Sequence, residues 1–284
     1  MSKSTGVVAL LLASVLWGTT GTAASFNSAS PLAIGAAALG IGGILQAIVG
    51  WRKVAESAAR LPHTLLLAGA AGIFVYPLCF YTSMDLAGVA VGTVVSLGLA
   101  PMCAGLISRA LWATALESAW WAASALGVAG CIALSLSDDP SATDKSSLIG
   151  IGLGVLAAAS YATYSLMVGE MINTGIPRQA AMGSVFGLGG LALLPIMAIT
   201  GDGLFATHNL PSTLYLIFVP MFAGYVLFGI GLASVPAHTA MVITLAEPAI
   251  AAVFAMAIVG ERFVALDLVG IGLVAGALGL SVRR

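Results

Sequence analysis

One carboxylate stands where carboxylates are rare. Glu247 lies near the centre of an apolar run over residues 237–259. If that run crosses a bilayer, an ionised carboxylate there costs roughly 2.5–3.5 kcal/mol even on the lenient insertion scale. The group must then be protonated, paired or facing a wet cavity. Two readings follow. Glu247 is a proton-coupling site or the partner of a substrate ammonium group, or its carboxyl is bonded to a neighbour such as Thr244 one turn earlier. His238, at the start of the same run, is a second proton-coupling candidate because imidazole titrates near neutral pH. A solvated interfacial histidine is the plainer alternative. Pro248 follows Glu247, and Pro101 occupies the matching place in an earlier run. Each removes a backbone hydrogen bond and crowds the preceding turn, so each should kink its helix, as a hinge beside a cavity or as a packing feature only.

Aromatic residues form the second group. Trp17, then Tyr76, Phe80 and Tyr81, then Tyr161 and Tyr164, then Phe222, Tyr225 and Phe228 lie inside four apolar runs. Tyr76 and Phe80 are four apart and Tyr161 and Tyr164 three apart, so each pair shares a helix face. Buried tyrosine hydroxyls need partners, which neighbouring helices or a hydrated cavity supply. Any single ring fits helix packing. Together they suggest an aromatic-lined substrate cavity for flat or amphipathic solutes. Gln46 suits an interhelical hydrogen bond, and Asp267 a pair with Arg262 or a helix N-terminus.

Other chemistry is missing. Cys79, Cys103 and Cys131 fall in apolar runs at no metal-ligand spacing, and they read as small buried hydrophobes. There is no His-Glu-x-x-His, no Gly-x-Ser-x-Gly and no nucleotide loop, so neither an enzyme nor a bound cofactor is expected. Glycine sets such as Gly150/Gly152/Gly154, Gly183/Gly187 and Gly272/Gly276 suit close helix packing instead. No Lys or Arg lies deep in an apolar run, which weighs against phosphorylated substrates.

The elements that must hold these residues are membrane helices. Of 284 residues, 60% are hydrophobic and 7% charged, and the mean hydropathy is +1.08. Soluble domains carry about 25% charged residues. The net charge of −1 gives no footprint for nucleic acid. The expected partners are a small-molecule substrate and lipid, with the chain a monomer or weak homo-oligomer. Apolar runs predict about ten spans, at 6–25, 31–50, 65–84, 88–111, 117–137, 147–169, 178–199, 212–233, 237–259 and 264–282. The first could pass for a signal peptide cleaved near Ala29–Ser30, but the repeat described next needs it as a retained helix. Lys3, Arg52, Lys53, Arg60, Arg109, Arg178, Arg283 and Arg284 fall on the N-terminal side, and only Lys145 and Arg262 on the other. That asymmetry places both termini in the cytoplasm of a multi-pass protein of the cell inner (plasma) membrane. Trp51, Trp112, Trp120 and Trp121 read as a cytoplasmic interfacial belt, with Tyr215 opposite.

The chain repeats itself. Leu12–Thr20 resembles Leu156–Tyr164, Leu97–Pro101 resembles Thr244–Pro248, and Gly127–Gly130 resembles Leu273–Gly276, in the same order and at nearly constant offset. Two five-helix units, 1–137 and 147–284, joined by a periplasmic linker 138–146, must insert with opposite orientation. The expected fold is therefore all-α, a polytopic membrane protein of two inverted five-helix repeats, as in secondary transporters.

The residues Trp17-Gly18-Thr19, Leu245-Ala246-Glu247-Pro248-Ala249 and Gly260-Glu261-Arg262 resemble the drug/metabolite transporter superfamily, in its ten-helix branch with two EamA-type halves. Within it the aromatic content is most similar to the YddG-type aromatic amino-acid exporters. The resemblance implies a central cavity lined by helices 1, 3, 4, 6, 8 and 9, and export from the cytoplasm by alternating access. The expected substrates are small neutral or zwitterionic metabolites, amino acids and especially aromatic ones leading, with amphipathic drugs as the alternative. Ala100 stands where the second half has Glu247, so the role of Glu247 is not duplicated. The lack of an acidic residue in the first helix weighs against the small multidrug-resistance mechanism.

Overall fold

The computed structural model describes residues 2–135, 145–254 and 265–282, and among them every regular element is helical. Seven helices are long and apolar enough to cross a bilayer: α1 Lys3–Ser25, α2 Pro31–Val49, α3 His63–Ala87, α4 Val91–Trp112, α6 Leu148–Asn173, α7 Arg178–Thr200 and α8 Leu210–Leu232. Three more are apolar but shorter: α5 Ser118–Ala133, α9 Ala237–Ala251 and α10 Leu268–Ser281. Each of the three adjoins residues outside the described set. The acidic part of the expected linker and the Gly260-Glu261-Arg262 motif lie outside the described residues, as does the Asp267 side chain.

Serines start the first two helices. Ser2 Oγ accepts from the Thr5 N–H, and Ser30 Oγ accepts from the Ala33 N–H with Pro31 in the first turn. Each thereby satisfies one orphan donor. The helix exteriors carry Leu12, Leu67, Leu106, Leu148, Leu191 and Leu268 at 50–63% exposure. An apolar exterior spread over six helices suits lipid rather than water.

Among the described residues four helices are interrupted. α1 breaks at Thr19 between Lys3–Gly18 and Thr20–Ser25. α4 widens to a π turn over Val94–Gly98 before resuming at Ala100–Trp112. α8 is a π helix over Ile217–Gly224, and α9 stops at Thr244 and restarts at Ala246. Pro101 and Pro248 explain two of these. A proline ring crowds the carbonyl four residues back, and those carbonyls belong to Leu97, inside the π turn, and Thr244, the last residue before the break. At all three α-helical joints the surviving turn bond is long, with Thr19, Leu99 and Leu245 N–H donating over 3.3 Å.

Packing follows a pattern. α3 lies along α6, α2 along α7 and α5 along α10, while α1 packs on α8 and α9, and α4 on α6 and α9. The α2–α7 pair is the closest. A methyl group on Gly43 would sit 2.4 Å from the Phe186 carbonyl, and one on Gly190 would sit 2.5 Å from the Gly40 carbonyl. The expected Gly183/Gly187 packing face belongs to this seam, against Gln46, Ala47 and Val54. Gly272 and Gly276 differ, because they face away from the bundle and a methyl group there meets nothing. The tryptophan belt also needs correcting. Trp51 is 60% exposed, but Trp120 is buried, pressed on Gly105 and donating from Nε1 to the His238 carbonyl at 3.1 Å. It ties α5 to the start of α9.

A branched side chain in the α2–α7 seam should therefore act as overpacking. Gly190→Val is expected to cost about 1–3 kcal/mol, lowering Tm in detergent, whereas Gly276→Ala should leave Tm unchanged. Thermal unfolding of the two purified variants checks both.

Candidate functional site

The interruptions converge. Gly18, just before the α1 break, packs on α9. A methyl group there would lie 2.8 Å from Ile250 Cγ2 and 3.2 Å from the Glu247 carbonyl oxygen. The α1 break and the α9 restart are thus in contact. Trp17, one residue earlier, donates from Nε1 to the Pro220 carbonyl in the π segment of α8 at 3.0 Å. Gly224 makes room for it, since a methyl group there would come within 2.7 Å of the indole nitrogen. Gln46 of α2 donates from Nε2 to the Phe222 carbonyl in the same segment at 2.9 Å, the interhelical bond expected of it. Thr19 Oγ1 lies 2.6 Å from the Leu16 carbonyl and 2.8 Å from the Tyr215 hydroxyl of α8. Side chains thus engage the irregular backbone that a regular helix would leave closed.

Beside these breaks is a cavity of about 180 Å³, room for on the order of ten water molecules. Trp17, Tyr76, Phe80, Tyr81, Tyr161 and Tyr225 line it together with Glu247 and Pro248. The rings touch one another. Trp17 and Tyr225 have centroids 4.9 Å apart, Tyr76 stacks on Phe80 at 5.5 Å, and Tyr76 meets Tyr161 at 5.6 Å. Gly35 of α2 admits the Tyr81 ring, which would otherwise collide with a side chain. Helices 1, 2, 3, 4, 6, 8 and 9 all contribute, so α2 joins the six helices expected.

Glu247 is the one charged residue in this lining. It occupies the first turn of the restarted helix Ala246–Phe254, at the positive end of that helix. Among the described residues its carboxyl makes no hydrogen bond and no ion pair. The alternative pairing with Thr244 does not form, because Thr244 Oγ1 contacts the Met241 carbonyl and the Tyr161 hydroxyl, each at 3.1 Å. Thr20, also in the wall, has a buried hydroxyl without a partner among the described residues.

Four expected site residues lie elsewhere. Tyr164 is fully buried one layer back, its hydroxyl 2.8 Å from that of Tyr225 and its ring edge-on to Phe186 at 5.5 Å. The Phe222 ring does not line the cavity, although its carbonyl anchors Gln46. Pro101 is buried behind Leu97, which takes its place in the wall. His238 lines a second cavity at the opposite end of the bundle, with Ser108, Trp112, Glu170 and Asn173. Nine residues of helix separate it from Glu247, about 14 Å along the axis. Conversely, Thr20, Met84 and Met221 line the main cavity without having been singled out. Met84 lies four residues after Phe80 and Met221 four before Tyr225, so the spacing that paired the aromatic rings could have found both.

The cavity is closed toward the N-terminal end. Tyr161 bonds Thr244 across α6 and α9, Tyr164 bonds Tyr225 across α6 and α8, and Phe228 and Met241 are fully buried between the two cavities. The wall otherwise runs toward the end where α1 finishes and α2 begins, through Gly21, Ala24 and Gly35.

A multi-helix membrane bundle with interrupted helices around a central cavity is the architecture of a secondary transporter. The chain belongs to the EamA-like transporter family, within the drug/metabolite transporter superfamily, and matches that family twice, over residues 4–136 and 148–283. It is 33% identical over 276 residues to the uncharacterized transporter YwfM of Bacillus subtilis (strain 168), covering 96% of this chain and 91% of that one. A solved crystal structure shares the fold at a TM-score of 0.80 with 19% identity, over 98% of this chain and 96% of the other.

Two sets of variants test this geometry. Trp17→Phe removes the donor to Pro220 and is expected to cost about 1–3 kcal/mol of stability, read as a lowered Tm in detergent. Tyr164→Phe and Tyr225→Phe each break the same hydroxyl pair, so the double variant should be destabilised by about 1 kcal/mol less than the sum of the single ones.

Proposed function

We propose that this transporter exports a small organic solute carrying an amino group and a flat apolar body, and that the solute sits in the cavity beside Glu247. The observation that carries the reading is one unpaired carboxyl in a wall that includes six aromatic side chains and no other charged group among the described residues. Aromatic rings accept apolar and cationic groups on their faces, and the carboxyl supplies the counter-charge for an amine. Aromatic amino acids, as in the YddG-type branch, and amines with the same rings fit this description.

The proposed mechanism is alternating access between two inverted five-helix halves, 1–137 and 147–284, across ten spans. Helix pairing supports it, because contacts recur on moving five helices along the chain. α3 meets α6 as α8 meets α1, and α4 meets α6 as α9 meets α1, while α2 and α5 each pair with their own counterparts. Glu247 and His238 are the proton-coupling candidates, at opposite ends of α9. Pro101 and Pro248 act as hinges at their helix breaks. With the basic residues of the N-terminal side in the cytoplasm of the inner membrane, the cavity lies toward the outer face. The bonds Tyr161–Thr244 and Tyr164–Tyr225 then form the inner gate.

Proteoliposomes preloaded with tryptophan, phenylalanine or threonine test this by counterflow of the labelled compound, with and without a pH gradient. Saturable counterflow of tryptophan or phenylalanine supports the amino-acid form of this reading. Acceleration by the gradient that disappears in Glu247→Gln identifies Glu247 as the proton site. Acceleration that survives in Glu247→Gln but disappears in His238→Ala moves that role to His238. The absence of counterflow for all three overturns the amino-acid assignment.

A further inference from the structure

The charge of the solute can be taken further, and this step rests on the reading just given. The lining combines one carboxyl, six aromatic rings and the threonines Thr20 and Thr93, with no Lys, Arg or His among the described residues. We infer that the substrate is an organic monocation, an amine without a carboxylate, rather than a zwitterion.

The inventory of donors carries this. A bound carboxylate needs a cation or several strong donors once it leaves water, because a buried charge without a partner is costly. Three of the donors here are committed. Trp17 Nε1 is held by Pro220, and the hydroxyls of Tyr161 and Tyr225 by Thr244 and Tyr164. The helix N-terminus in the wall, at Ala246, already has Glu247 in its first turn. A second carboxylate there would meet the first one's repulsion as well as the dipole's attraction. Tyr76, Tyr81, Thr20 and Thr93 remain as hydroxyl donors, all neutral, so none supplies the positive charge that would offset a carboxylate. The absence of deep cations that weighed against phosphates in the sequence weighs equally against the carboxylate of an amino acid.

An ammonium group finds the reverse situation. It has only donors to satisfy, and the wall offers acceptors and ring faces. Thr20 Oγ1 is buried without a partner among the described residues, and the Glu247 carboxyl is unpaired. Trp17, Tyr76, Phe80 and Tyr225 present π systems on which a cation is attracted as its water is removed. Thr20 and Glu247 flank the contact between the two helix breaks at Gly18. A primary amine with one aromatic ring matches this arrangement.

Matched pairs that differ only in the carboxylate test the inference: tryptamine against tryptophan, and phenethylamine against phenylalanine. Competition for counterflow in proteoliposomes and stabilisation of the purified protein in detergent are both measured, the second because ligand binding to the native state raises Tm. The expected result is that each amine competes at a concentration at least tenfold lower than its amino acid and alone raises Tm, and that Glu247→Gln lowers amine affinity at least tenfold. Amino acids competing equally or better would overturn the monocation inference and leave the amine-bearing transporter standing. If no compound of either kind binds or moves while an uncharged aromatic solute does, both the inference and the amine reading fall. An effect of Glu247→Gln that is equal for amines and amino acids would also overturn it.

Discussion

In the hydrocarbon core no water is present to bond a stray backbone N–H or carbonyl, so a helix there is broken only where the protein supplies the missing partners. The structure departs from regular helix in four elements, and the departures are gathered around one cavity. The α1 and α9 breaks touch at Gly18 and Glu247. The π segment of α8 is held by Trp17 from one side and Gln46 from the other. Removing the small residues at these approaches would separate the breaks from their partners. Gly224 shows the constraint most clearly, because its missing side chain is the space the Trp17 indole occupies.

That arrangement gives the cavity its chemistry. Breaking α9 before Ala246 places Glu247 in the first turn of a new helix, where the positive end of the helix dipole favours a negative side chain. The aromatic rings then surround the one charged group among the described residues of the lining. The second layer of tyrosines fixes the first. Tyr164 lines nothing, yet its hydroxyl holds that of Tyr225 and its ring packs on Phe186. The same bonds close the cavity toward the N-terminal side.

Much of this was legible in the sequence for a simple reason. A carboxylate, a tryptophan or several tyrosines inside apolar runs are conspicuous, and the structure gathers Trp17, Tyr76, Phe80, Tyr81, Tyr161, Tyr225 and Glu247 around one space. What failed was the rotation about each helix axis. Tyr161 and Tyr164 are neighbours on one face, but only a difference of tens of degrees decides which of them meets the cavity. Met84, Met221 and Thr20 do not stand out by type, and only the four-residue spacing to Phe80 and Tyr225 points to the two methionines. Prolines were an uneven guide. Pro101 and Pro248 mark interruptions, whereas Pro77 sits inside the continuous helix α3. The α1 break has no proline at all, and its sign is the Thr19 hydroxyl competing for the Leu16 carbonyl.

The central claim is that the solute occupies this cavity and reaches it from one side at a time. Cysteine at position 21, an exposed residue of the cavity wall with open space at its Cβ, in a protein whose Cys79, Cys103 and Cys131 have been replaced, tests it most directly. A membrane-impermeant maleimide should label Gly21→Cys from the outer face, and a saturating solute proven by counterflow should protect it. Labelling that proceeds at the same rate with and without that solute would contradict the account.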